Sequence, residues 1–198
     1  MRRASKLSDA AALAAAADGD VRAFEQLVAR HHVAVHRYVA RRIGITDAED
    51  VVSETFEVAL RRASSYRPMG ERALPWLLGI ATNVLRRFVR REETMLRAYA
   101  RTGIDPAPGI GDPSRVDSIG VQRELAGALA ALRAEHREVL LLHALGELSN
   151  AEIAAALEVP EGTVKAWLHR ARMAAASHLA TAGVVYPEIL QETFDARD

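Results

Sequence analysis

Apolar residues recur at helical spacing along nearly the whole of this 198-residue chain, and no segment shows the strict alternation and turn dipeptides of a strand. The cleanest case is Leu77, Ile80, Ala81, Val84, Leu85 and Phe88, which fall at i, i+3, i+4, i+7, i+8 and i+11. That spacing gathers the apolar side chains into one stripe, which another helix has to cover. The expected fold is therefore all-α. One stretch breaks the pattern: Thr102–Ser118 holds Gly103, Pro106, Pro108, Gly109, Gly111 and Pro113, three of the chain's seven prolines. Proline removes a backbone donor and clashes with the preceding turn, so no helix runs through such a segment. It reads as a flexible linker between two small helical domains.

Composition closes several functional classes. Cysteine is absent, which excludes disulfides, thiolate metal sites and cysteine nucleophiles. No run of about 18 apolar residues exists, so membrane insertion is not expected. The alanine run after Met1-Arg2-Arg3 is broken at Asp18 and Asp20 and lacks the core and cleavage site of a secretory signal. The expected location is the cytoplasm. Formal charge balances at 26 basic and 26 acidic residues, but its distribution is uneven. Val84–Arg101 carries Arg86, Arg87, Arg90, Arg91, Arg97 and Arg101 against two glutamates, whereas Pro187–Asp198 is acidic. Local potential, more than the total, steers a polyanion.

Signals along the chain place the elements. Asp18–Arg42 reads as one helix, with Phe24, Leu27 and Tyr38 in the core. Thr46 and Glu49 have the spacing of a capping box and predict a helix over Asp47–Arg62. Ser64–Arg72 is a loop, and a helix starts at Pro75, a residue suited to a first turn. Its outer face presents Asn83, Arg86 and Arg90, with Arg87 and Trp76 at the edge. Beyond the linker, Val121, Leu125, Leu129 and Leu132 form another stripe. Ser149 and Glu152 make a second capping box, opening a helix Asn150–Leu157; after a turn at Leu157–Pro160, a further helix covers Glu161–Leu179.

Two short helices around a brief turn are the skeleton of a helix-turn-helix. On the second, Val164, Leu168 and Ala171 point inward with Trp167 beside them. Lys165, Ala166, His169 and Arg170 share the outer face, with Arg172 at its margin. A row of small and cationic groups suits the major groove, where arginine and lysine donate to guanine O6 and N7. His32 and His36, at i and i+4 with Glu25 two turns earlier, have the spacing of a metal pair but read as ordinary helix histidines. No metal or cofactor is expected.

Leu140–Leu142, Leu148–Ala154, Val159–Lys165 and Leu168–Arg172 together closely resemble region 4 of the extracytoplasmic-function (ECF) sigma factors. Independently, Asp47–Phe56 and Pro75–Asn83 resemble the polymerase-binding and promoter-melting segments of region 2. The resemblance spans about Gly19 to Ala180 and implies a transcription initiation factor, not an enzyme. Its expected partners are core RNA polymerase, promoter DNA and an anti-sigma factor. It implies polymerase contacts through Asp47, Asp50 and Glu54. Contacts to the −10 element would come from Tyr66, Trp76, Asn83, Arg86, Arg87 and Arg90. Contacts to the −35 element would come from Lys165, Ala166, His169 and Arg170, with Thr163 and Arg172 on flanking phosphates. The implied boundaries are an N-terminal extension 1–18, region 2 at 19–95, a linker 96–120, region 4 at 121–182 and a tail 183–198. Four positions depart from the family pattern. Ser53 stands where glutamine is common, Ala166 where serine is, and Trp167 where arginine is. Glu158 replaces the usual turn glycine, which predicts a non-glycine conformation there. The apolar positions of the acidic tail predict that it docks on region 4 or on a regulator.

Overall fold

The computed structural model describes residues 7–68, 70, 72–86, 97, 98, 101 and 118–182, the side chains of 118–122 excepted. Phe88, Arg87, Arg90, the proline/glycine segment Thr102–Ser118 (Ser118 itself excepted) and the tail Gly183–Asp198 lie outside these residues. The described residues form eight α-helices and no strand: α1 Asp9–Ala17, α2 Val21–Ile43, α3 Ile45–Arg61, α4 Leu74–Leu85, α5 Ser118–Ala131, α6 Ala134–Ala144, α7 Asn150–Leu157 and α8 Glu161–Thr181. A 3-10 turn, Ala63–Ser65, follows α3.

The N-terminal region differs from its sequence reading in two ways. The alanine run is a helix of its own, and the chain bends at Asp18–Asp20 before α2 begins. Ser8 caps α1, its Oγ accepting from Ala11 N–H at 3.2 Å, and Asp20 caps α2, its Oδ1 accepting from Ala23 N–H at 3.1 Å. Ala12, Leu13 and Ala16 are buried, so α1 is part of the core. The second difference is at α3, which starts at Ile45 with Gly44 as its N-cap and no side-chain cap. Gly44 has φ 90°, a conformation costly for other residues, and it turns the chain sharply between α2 and α3. Thr46 therefore falls inside the first turn and cannot cap it. Glu49 instead faces His36 at 3.5 Å and His32 at 3.9 Å.

Asp9 fastens α1 to the rest. Its carboxylate is 2 % exposed, pairs with Arg30, and accepts from His31 Nε2 at 2.7 Å and from Ala73 N–H at 2.6 Å. Arg30 also donates to the Leu7 carbonyl at 2.7 Å. One short side chain thus ties the start of α1, the middle of α2 and the start of α4 together.

Helix α4 carries the expected stripe, and more than the stripe is buried: Leu77 through Thr82, with Val84 and Leu85, are all inaccessible. The reason is a second neighbour. Helices α2 and α3 cover one side, and α7 from the C-terminal half lies against the other. At that crossing a Cβ on Gly79 would stand 2.3 Å from the Ala156 carbonyl oxygen, so only glycine permits the approach. One continuous cluster joins buried residues of both halves, from Ala12 to Ala171, and Ala128, Ala175 and Leu179 form a second, smaller one.

An ion pair crosses the same boundary. Arg42 donates to both carboxylate oxygens of Glu138, at 2.7 and 2.9 Å, and to Tyr38 Oη at 2.8 Å. The two charged side chains are 0 and 5 % exposed. Tyr38 Oη also meets Thr82 Oγ1 at 2.9 Å, bringing α4 into the network. Burial pushes the Tyr38 hydroxyl up to about 12; Arg42 opposes that shift and Glu138 adds to it. Two further pairs across the boundary, Arg37–Glu147 at 3.8 Å and Arg72–Glu152 at 3.9 Å, are long and largely open to solvent and contribute little.

Removing one partner of a buried pair leaves an uncompensated charge, a cost of about 3–5 kcal/mol. Glu138→Leu is expected to lose stability on that scale, and the double variant Arg42→Met/Glu138→Leu to recover most of it, in chemical denaturation of the four-member cycle. Asp9 supplies a pH test. Burial raises its carboxyl, but the Ala73 and His31 hydrogen bonds, with the His31 charge and the Arg30 hydrogen bond, hold it below the ordinary value. Its contribution is complete above the unfolded-state pKa of about 4 and disappears as pH falls through the lower folded value. Asp9→Asn is expected to flatten this acid limb, measured by denaturant titrations from about pH 2.5 to 6.

Candidate nucleic-acid interface

The C-terminal hairpin begins with a closed capping box. Ser149 Oγ accepts from Glu152 N–H at 3.3 Å, and the Glu152 carboxylate accepts from Ser149 N–H at 2.9 Å. Both α7 and its cap stand where the Ser/Glu spacing put them. The turn does not follow expectation: Glu158 is left-handed, φ 56° and ψ 41°, so a non-glycine residue adopts the glycine conformation. Val159 N–H reaches back across it to the Ala154 carbonyl at 3.0 Å, which closes the end of α7 and holds Glu158 in place. Left-handed backbone costs a side-chain-bearing residue about 1–2 kcal/mol. Two further bonds, Thr163 N–H and Val164 N–H to the Pro160 carbonyl at 2.9 and 3.3 Å, start α8.

Helix α8 is anchored by Val164, Leu168, Ala171, Ala175 and Leu179, all buried. Trp167 is half-buried against the core, at the edge where the helical wheel places it. Lys165, Ala166, His169 and Arg170 are all exposed on the opposite face, and Thr163 is half-buried beside them. Lys165 meets Glu161 at 3.2 Å across one turn, an exposed pair that yields readily to a stronger anion. Arg172 behaves differently from its neighbours. It is half-buried and its Nη2 donates to His143 Nε2 at 3.4 Å, while His143 Nδ1 donates to the Leu148 carbonyl at 3.2 Å. In this arrangement Arg172 braces α8 on α6.

In the N-terminal half, Tyr66 and Trp76 come together at the entrance to α4, ring centroids 5.0 Å apart and tilted by 59°. Both are half-buried, each leaving part of its ring accessible. Asn83 and Arg86 are exposed at the far end of α4. On α3, Asp50 is exposed, while Asp47 and Glu54 are half-buried. His32 and His36 stack at 6.0 Å beside Glu49, and the described residues contain no cluster of three metal-ligating side chains. Glu25 takes no part in the His32–His36–Glu49 group. No described helix is long and apolar enough to cross a membrane.

Comparison with known proteins decides the family. Sigma-70 region 2 matches residues 27–95, and sigma-70 region 4 matches residues 122–174. The sigma factor CarQ of Myxococcus xanthus is 35 % identical over 159 residues, covering 77 % of this chain and 87 % of CarQ. The chain belongs to the sigma-70 family. The ECF sigma-E factor of Escherichia coli K12, 30 % identical over 79 % of this chain and 86 % of its own length, places it among the ECF sigma factors. CnrH of Cupriavidus metallidurans is 35 % identical over 80 % of this chain and 87 % of its own. The structure of CnrH in complex with the cytosolic domain of CnrY superposes with a TM-score of 0.61 at 29 % identity, covering 87 % of this chain and 97 % of that one. As a sigma factor, the protein is a transcription initiation factor that works with core RNA polymerase at promoters, and it is not an enzyme.

Several residues that organise these surfaces had no sequence signal. Arg42 is the second of an Arg-Arg pair at a helix end, and Glu138 lies among exposed-looking charges; only their meeting across the chain makes them buried. Asp9 stood in what read as an extension. Glu158 stands out in the sequence as a departure from the turn glycine, yet its left-handed conformation follows from the hairpin's need for a tight turn. Glu158→Gly is expected to retain or raise stability, by up to about 1 kcal/mol. Glu158→Val, which adds a branched side chain at the same φ, is expected to lose more than about 1 kcal/mol, both read by thermal unfolding.

Proposed function

We propose that the exposed α8 face reads the −35 duplex, that Tyr66, Trp76, Asn83 and Arg86 contact the −10 element, and that Asp47, Asp50 and Glu54 dock on polymerase. Arg87 and Arg90 belong to the same −10 proposal and lie outside the described residues. The observation that carries it is α8 itself: a helix with five buried anchors on one side and Lys165, Ala166, His169 and Arg170 presented together on the other. The major groove admits one such helix. Thr163 serves as a flanking phosphate contact, and Arg172 joins it by leaving His143. On the polymerase side, exposed Val33 and Ile45 share a surface depression with Glu49 of α3 and add apolar area to a docking face. The proposed division is extension 1–18, region 2 at 19–95, linker 96–120, region 4 at 121–182 and tail 183–198. The site of action is the cytoplasm, where core polymerase is found.

The packing of α4 on α7 has a consequence for this reading. Promoter elements about 25 base pairs apart are separated by roughly 85 Å at about 3.4 Å per pair. A compact chain of this size has a radius of gyration of about 16 Å. The form described here is therefore a closed one, and the two halves separate to hold both elements at once. A protein that grips the closed form or the separated halves would regulate initiation. CnrH, captured with the cytosolic domain of CnrY, supports such a partner, of anti-sigma type.

Run-off transcription with core polymerase on a genomic fragment library tests the whole reading, which fails if no promoter fires. Arg170→Ala and Lys165→Ala are expected to weaken −35 duplex binding by about 1–3 kcal/mol where the lost contact is to a base. Where it is to a phosphate, the salt slope falls by about 1. Asp50→Arg is expected to lower polymerase affinity at least tenfold while leaving −35 duplex binding unchanged, measured on the same preparation.

A further inference from the structure

We infer that Asp9 is a positioning residue for the −10 contact, acting from the N-terminal helix on the Tyr66–Trp76 pair. The inference rests on the assignment of those two rings to the −10 element. Helix α1 lies outside the stretch that matches sigma-70 region 2, which begins at residue 27, yet its first residue reaches the entrance of α4. Ala73 is the N-cap of α4, is fully buried, and offers no side-chain cap of its own. Its N–H is held by Asp9 Oδ2 at 2.6 Å, which sets where α4 begins and hence where Trp76, three residues on, projects.

The other half of the pair is held from the same helix. Tyr66 follows the 3-10 turn Ala63–Ser65, which packs on α1 through buried Ala63, and Tyr66 N–H donates to the Ala63 carbonyl at 3.2 Å. Burial first, then the nearby Asp9 charge, pushes the Tyr66 hydroxyl above its usual value. Asp9 in turn is fixed on α2 by His31 at 2.7 Å and by Arg30. With its side chain 2 % exposed, this carboxylate has no room to swing away, so the distance between the two rings is set by α1. A residue required only for stability would need none of this convergence on the two ends of one aromatic pair.

The test uses the full chain in holoenzyme with core polymerase. Transcripts are sequenced from two template libraries, one randomised at the −10 hexamer and one at the −35 hexamer. For wild type, a consensus is expected at both. Asp9→Ala is expected to reduce −10 enrichment at least fivefold while leaving −35 enrichment within twofold. Asp9→Asn, which keeps an acceptor for Ala73 N–H, is expected to show an intermediate loss. Ala73→Pro, which removes the donor and sets the ring Cδ where the hydrogen stood so that the Asp9 carboxylate must give way, is expected to reproduce the −10-specific loss; φ at Ala73 is −82°, near the value proline takes. Unchanged −10 enrichment in Asp9→Ala and Ala73→Pro overturns the inference, as does a parallel fall at −10 and −35, the mark of general destabilisation. Tyr66→Ala and Trp76→Ala separate the two levels. If these keep the −10 consensus, the assignment of the rings is wrong; if they lose it and the Asp9 variants do not, only the positioning role is.

Discussion

The arrangement of this sigma factor depends on a buried pair of charges, Arg42 and Glu138, brought from opposite halves of the chain to hydrogen-bonding distance. Neither tolerates burial alone, because an isolated charge in a poorly polarisable interior costs far more than packing returns. Each half therefore supplies the counter-charge the other needs. Tyr38 and Thr82 extend the network to α4, so the helix at the centre of the N-terminal half is joined by hydrogen bonds to the same polar core. Around it the apolar residues are continuous, and the Gly79–Ala156 crossing lets the two backbones approach as closely as helices within one domain.

For a boundary that, as proposed, opens at the promoter, a buried ion pair is a suitable element. In the closed form it is shielded and specific, because only this register satisfies both oxygens and both donors. When the halves part, both groups regain water, so much of the lost Coulomb energy returns as hydration. An apolar boundary of the same area would lack that compensation and would leave a larger sticky surface on each half. This packing leaves Lys165, Ala166, His169 and Arg170 of α8 exposed, and Asp50 of α3 as well.

A second, smaller polar centre sets the geometry of the N-terminal half. Asp9 gathers Arg30 and His31 from α2 and the Ala73 amide from the start of α4, and does so as the first residue of a helix made almost wholly of alanine. Alanine packs closely but has little shape to specify register. The single carboxylate provides it. This explains why a run that reads as featureless extension is integral to the fold.

By itself the sequence determined the helical class, the apolar stripe of α4, the Ser149–Glu152 cap and the inner and outer faces of α8, because each follows from spacing within one helix or from hydrogen bonds between residues three apart. The same locality made the cationic face Lys165–Arg170 legible before any contact was known. Tertiary structure decided the rest. Asp9 meets Arg30, His31 and Ala73, and Arg42 meets Glu138, across tens of residues of sequence, and no periodicity encodes those meetings. The Thr46–Glu49 spacing mimicked a cap, but Gly44 had already started the helix. The second covering of α4 by α7, the inward turn of Arg172 onto His143, and the left-handed Glu158 are likewise set by neighbours. Local chemistry chose the elements; burial of charge, available only once the elements meet, chose how they fit.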